Sequence, residues 1–131
     1  MTYKQDMHNY TINLGKQTDE VVRGTLFDLS SAIIKDTPVD TGRLRGNWMA
    51  SVDKRHNRTT KRTDKIGNST IGQISQDIQL MGLGHTFYLM NNLPYAERIE
   101  YGYSGQAPQG MVRKNIARLQ SMLDRQSKRI K

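Results

Sequence analysis

The sequence predicts an α+β fold: a single small domain in which a long N-terminal helix and a C-terminal helix pack on a small β-sheet, with a long basic loop. Three observations predict it. Val22, Leu26, Leu29 and Ile33 are spaced by four, three and four, which puts them on one helical face. Trp48, Ala50 and Val52 alternate with Met49 and Ser51, as do Phe87 and Leu89 with Thr86, Tyr88 and Met90, the period of strands. Val112, Ile116, Leu119 and Leu123 form a second helical stripe, which Ile130 extends.

Residues 1–17 carry few periodic apolar positions and read as an N-terminal arm. The first helix starts near Asp19, with Thr18 or Asp19 as its cap, and stops before Pro38, because the residue before proline avoids the α region. Gly24 weakens its interior and is either a close-packing site or simply tolerated. TPVDTGRLRG is a turn, and the first strand follows. Residues 53–70 have almost no apolar periodicity and read as a mobile basic loop, with an extended hairpin as the alternative. Residues 71–81 fit a short helix through Ile71, Ile74, Ile78 and Met81, ended by Gly82 and Gly84; a strand is the competing reading. The strand at 85–90 has large apolar groups on both faces, so it is expected to be central or covered on both sides. Pro94 begins a short helical turn through Tyr95, Ala96 and Ile99, Gly102 and Gly105 bracket a loop, and the last helix is expected from Pro108.

The chain has 131 residues, a length that suits one domain. Only 35% of them are in the hydrophobic set, so the core is modest. Either partner subunits complete some apolar faces, or this is an ordinary small domain with a long polar loop. There is no cysteine, which removes disulfides, thiol catalysis and cysteine-ligated metals. No run approaches the roughly 20 apolar residues of a membrane span, and the first residues lack the apolar core of a signal peptide. These features lead to the expectation of a soluble protein made in the cytoplasm.

The formal charge is +8, from 20 Lys+Arg against 12 Asp+Glu, which points to nucleic acid or an acidic protein surface as a neighbour. One basic cluster is KRHNRTTKR, with Lys54, Arg55, Arg58, Lys61 and Arg62 as candidate contacts to DNA or an acidic partner. A second comprises Arg113, Lys114, Arg118, Arg125, Lys128, Arg129 and Lys131. No aromatic residue interleaves the first cluster to stack on bases.

Catalytic patterns are weak. His8, His56 and His85 form no close metal-binding motif. Among Asp36, Asp40, Asp53, Glu97 and Glu100, only Glu97 with Glu100 has a spacing suggestive of a metal site, and such pairs are common on solvated helix faces. Ser104 lacks the strand–nucleophile–helix setting of a hydrolase, and neither the glycines at 102, 105 and 110 nor Gly82–Gly84 make a phosphate loop. No cofactor is expected. A sequence-independent DNA-binding protein is the alternative function, and a small metal-dependent nuclease the third reading.

Two segments carry a family resemblance. TPVDTGRLRGNW, residues 37–48, resembles the proline–valine–aspartate–threonine–glycine–arginine–leucine segment of tailed-phage tail-completion and head–tail joining proteins, the HK97 tail-component group. YLMNNLPYAERIEYGYSGQAPQGMVR, residues 88–113, resembles the same family's passage from strand end to last helix. The resemblance spans roughly residues 20–125 and is weak over 54–84. It implies a virion structural protein of the tail or neck, without catalysis or cofactor, acting as a ring that is often hexameric. The implied partners are further copies of the chain, a tail-tube or tail-terminator protein and head-connector proteins, with transient contact to packaged DNA and no membrane. Asp40, Arg43, Trp48, Tyr95, Glu97, Glu100, Tyr101 and Met111 are then the interface or structural candidates. Asp40 has the turn, Thr41, Arg43 and Arg45 as candidate partners, while Glu100 is expected to satisfy buried backbone donors, bind Arg43 or bridge subunits. Trp48 and Met111 are read as core first and ring contacts second.

Overall fold

The computed structural model describes residues 18–101 and 110–130, excluding the side chains of Glu97 and Ile130. The expected N-terminal arm, the loop around Gly105 and the start at Pro108 lie outside the described residues. The fold is a small α+β domain with a 2-stranded sheet.

Helix α1 spans Asp19–Asp36. Thr18 caps it, accepting from the Val21 amide at 3.2 Å, and Asp19 and Glu20 oppose the positive end of its dipole. It stops at Thr37, one residue before Pro38, as the proline rule requires. Its broad inner face buries Val22, Leu26, Leu29, Ile33 and Ile34 in the core. Gly24 is a close-packing site: an added Cβ would collide with the Gln126 side chain.

A one-turn helix α2, Arg43–Gly46, leads into strand β1, Trp48–Val52. Helix α3 covers Asn68–Ile78, and strand β2, Phe87–Asn91, pairs antiparallel with β1, Trp48 opposite Asn91 and Val52 opposite Phe87. Trp48, Ala50, Val52, Phe87 and Leu89 face the core from one side of this ladder. The helical reading of 71–81 therefore holds, though α3 starts three residues earlier and ends at Ile78, ahead of both glycines. Residues 68–70, assigned to the loop from sequence, form its first turn. The remaining helices are α4, Ala96–Glu100; α5, Val112–Ile116; and α6, Leu119–Ile130.

The layering departs from the expectation in two respects and narrows it in another. First, α3 is the helix laid on β1, while α5 and α6 lie along α1. Second, of the two settings expected for β2, central or covered on both sides, it has the covered one, since β1 is its one partner among the described residues. Its outer face is covered by the basic segment: the Arg55 guanidinium stands 5.9 Å from the Tyr88 ring centre, and the His56 amide points at Met90 Sδ, 3.5 Å away. Third, the last helix is broken at residues 117–118. Its buried positions are Val112, Asn115, Met122 and Gln126, with Leu119 packed against the core, a spacing of three and four throughout. Leu123 falls beside this stripe and Met122 within it.

This phase is testable by denaturant unfolding. Met122→Ala should cost about 2–5 kcal/mol, as buried large-to-small changes do. Leu123→Ala should cost under about 1 kcal/mol. The opposite ranking would mean that the helix presents Leu123 inward.

Candidate functional site

The two family-like segments meet at the base of the sheet. Thr37 and Trp48 close the first one: the Trp48 indole donates to Thr37 Oγ1 at 2.8 Å, and that hydroxyl donates to the Ile33 carbonyl at 2.7 Å. Trp48 is 2% exposed. Arg45 seals the end of α1, its guanidinium reaching the carbonyls of Lys35 at 3.0 Å, Thr37 at 2.7 Å and Lys65 at 2.5 Å. Gly42 has φ +90°, and a Cβ there would lie 2.8 Å from the Lys65 amide nitrogen, so both conformation and space demand glycine. Asn91 then joins the second segment to the first, donating to the Leu44 carbonyl at 2.8 Å.

The second segment turns on Glu100, which is 0% exposed. Its Oε1 accepts from the amides of Met111 at 2.8 Å and Val112 at 2.7 Å. Its Oε2 accepts from the Arg113 amide at 2.9 Å and Arg113 Nε at 3.0 Å, while Arg113 Nη2 donates to the Glu100 carbonyl at 2.6 Å. The carboxylate thus caps α5 from the end of α4, meeting the orphan N–H groups of a helix start with a negative charge. Arg113 also stacks 4.6 Å above Tyr101. At Gly110, φ is +82° and an added Cβ would sit 2.7 Å from Glu100 Oε2 and closer still to its carbonyl oxygen.

The basic segment 53–67 is an irregular strap tied to this base. Asn47, buried under it, accepts from the Thr60 amide at 2.8 Å and donates to the Thr60 carbonyl at 2.9 Å. Arg62 reaches the Gly46 carbonyl at 2.8 Å and also bonds Gln73 of α3. Asp64 caps α3, accepting from the amides of Gly67 and Thr70 at 2.8 Å each and from the Thr70 hydroxyl at 2.7 Å. Burial opposes ionisation of Asp64, but these bonds and the Arg62 charge outweigh it and hold the carboxyl below its ordinary range. At the strap's start, the Thr86 amide and His85 imidazole likewise hold Asp53 low. On its far side, Asn92 donates to the carbonyls of His56 at 3.2 Å and Arg58 at 3.0 Å.

The neutral ring of His56 has an assignable tautomer. Its Nδ1 accepts from the Arg58 amide at 3.2 Å, so the neutral ring carries its proton on Nε2, a buried atom without a hydrogen-bond partner among the described residues. Burial lowers its pKa below 6.5, the Arg58 charge adds to this, and Asp77 opposes it. Asp77 on α3 is pushed above the carboxylate range by its own burial, with His56 opposing.

The expected site residues thus divide. Trp48, Glu100 and Met111 are buried in the chain's own core, and Arg43 and Tyr101 are half-buried. Asp40 and Tyr95 are exposed; the Glu97 side chain is not described. Arg43 bonds the Thr60 carbonyl at 3.3 Å, and the partner of Glu100 is Arg113, not Arg43. Asp40 receives no hydrogen bond from a described residue; Thr41 Oγ1 instead accepts from the Arg43 amide at 3.2 Å. Arg62 and Arg55, expected as partner contacts, are engaged within the chain. Sequence reasoning passed over Asn47, Asp64, Asn91 and Arg113 as site residues. Among the described residues no group of three or more His, Asp or Glu is placed to hold a metal ion. Comparison of the chain with family models, curated proteins and solved structures found no match.

Two outcomes follow from this geometry. Glu100→Ala leaves three amides, two of them buried, without their acceptor and should cost about 3 kcal/mol or more in urea unfolding, with Gly110→Ala losing a comparable amount through backbone strain. Near-parental stability in both would remove the cap from the account. For His56 the folded-state pKa lies below the unfolded one, so its contribution is complete above pH 6.5 and is lost as pH falls through the folded value. Unfolding midpoints between about pH 8 and 5 should therefore drop less in His56→Gln than in the parent, since glutamine does not titrate there.

Proposed function

We propose that this chain is a structural protein of a tailed-phage particle. It completes the head-proximal end of the tail or joins tail to head, as one subunit of an oligomeric ring. In this reading it is an assembly part, not an enzyme, and takes no cofactor. It is made in the host cytoplasm and resides in the tail or neck of the virion. Its partners are copies of itself, in a ring that is expected to be a hexamer, a tail-tube or tail-terminator protein, and head-connector proteins.

The observation that carries the proposal is the meeting of the two family-like segments. Residues 37–48 and 88–113 lie far apart in the chain, yet they are neighbours through the β1–β2 ladder and the Asn91–Leu44 hydrogen bond. Their most distinctive residues, Gly42, Trp48, Glu100 and Gly110, hold the backbone in place at turns and helix ends. Such residues are what a scaffold keeps when its surface varies. The order and spacing of the two segments and the helices that flank them also fit the plan that the resemblance implies. Exposed apolar side chains supply ring contacts in this reading: Leu80 is 71% exposed, Leu83 51% and Tyr95 40%.

Mass photometry of the protein alone and with assembled tail tubes or neck components tests the proposal. Ring-sized species, free or on tubes, are expected. Leu80→Ser with Tyr95→Ser should reduce their yield while changing stability by no more than about 0.5 kcal/mol per site, as is usual for surface positions. A protein that stays monomeric and ignores tubes and neck components would overturn the assembly role.

A further inference from the structure

The charges of this chain are partitioned. Asp19, Asp28, Asp36, Asp53, Asp64 and Glu100, six of the twelve acids, accept hydrogen bonds that hold the fold together. Most arginines are likewise engaged: Arg23, Arg43, Arg45 and Arg62 reach backbone carbonyls. The exposed cations without a described partner fall into two groups. Lys54, Arg58, Lys61 and Lys65 are on the strap, and Arg125, Lys128 and Arg129 are on the outer face of α6.

The strap group is the better built. Exposure alternates strictly along residues 60–65: Thr60, Arg62 and Asp64 turn inward, while Lys61, Thr63 and Lys65 turn outward. The inward residues are those that bond Asn47, Gly46 and α3, so this anchoring sets the direction of Lys61 and Lys65. The strap's two acids are both engaged, Asp64 as the cap of α3 and Asp53 with the Thr86 amide and His85, although Asp53 stays half exposed beside Lys54. Three of the four free cations are lysines, point charges that accept phosphate in any register. No aromatic residue lies between 54 and 65, so nothing here stacks on an unpaired base.

We propose that the outward side of the strap, Lys54, Arg58, Lys61 and Lys65, is a sequence-independent contact surface for the phosphate backbone of duplex nucleic acid. The inference stands on the charge partition and does not require the assembly role. Four phosphate contacts give a log–log salt slope of about −3 to −4, so binding should weaken roughly a hundred-fold between about 50 and 200 mM salt.

Fluorescence anisotropy with a short DNA duplex tests it. The parent should bind with that slope. Changing all four residues to Gln should abolish binding, and changing Arg125, Lys128 and Arg129 to Gln should leave most of it. In the parent, the duplex should shield Lys54, Lys61 and Lys65 from a lysine-acetylating reagent and leave Lys128 reactive, a readout that needs no variant to fold. No binding at about 50 mM salt, equal competition by polyglutamate, or loss of binding in the α6 variant with the strap lysines unshielded would each overturn the proposal.

Discussion

A helix start buried away from water must find acceptors for its first amides, and this fold meets that demand with carboxylates from elsewhere in the chain. Glu100 does so for α5, and the rest of the C-terminal half depends on it. The bond fixes where α4 ends and forces glycine at 110, where any side chain would strike Glu100. It also aims α5 and α6 along α1, where Asp36 receives Asn115 and Asp28 receives Gln126. Asp64 plays the same part for α3 from within the strap. Neither helix brings a capping side chain at its own N-cap position: Gly67 and Met111 stand there. The caps are tertiary contacts, so helix formation and chain folding are one event in these places.

That explains what could be read from the sequence and what could not. Helix α1 was legible because its apolar spacing, local Thr18 cap and Pro38 stop are all short-range signals. Strand β1 was legible for the same reason. The last helices were misphased because two of their buried positions are the polar Asn115 and Gln126, which any apolar stripe passes over. Asn115 is buried since it bonds Asp36 and the Met111 carbonyl; Gln126 since it fills the space that Gly24 leaves. Of the roles open to Glu100, the structure shows the one of satisfying buried backbone donors, and not the pairing with Arg43. The arginine that pairs with this carboxylate is Arg113, immediately past the turn that Glu100 caps.

The strap shows how one segment serves two ends. In composition it is polar and charged, the pattern of unanchored loops. Its alternation of inward and outward residues is not apolar against polar but bonded against unbonded, which hydropathy does not register. Inward, Thr60, Arg62 and Asp64 complete the turn of α2 and the start of α3. Arg55 and His56 lie over the outer face of β2 at Tyr88 and Met90, which explains how a strand apolar on both sides is covered in a 2-stranded sheet.

The same arrangement constrains how the molecule can engage a partner. The net charge is +8, and while Glu100 pairs with Arg113 and Asp36 with Lys114, the strap's lysines have no acidic partner among the described residues. A cation without an internal partner has lost little hydration, so giving it a phosphate or a carboxylate outside the chain costs little stability. Arg62, Arg45 and Arg113 are in the opposite position: drawing any of them to a partner would strip a carbonyl or a carboxylate of its donor. Electrostatic recognition by this fold therefore falls to the lysines and to Arg58 on the strap and to the outer face of α6.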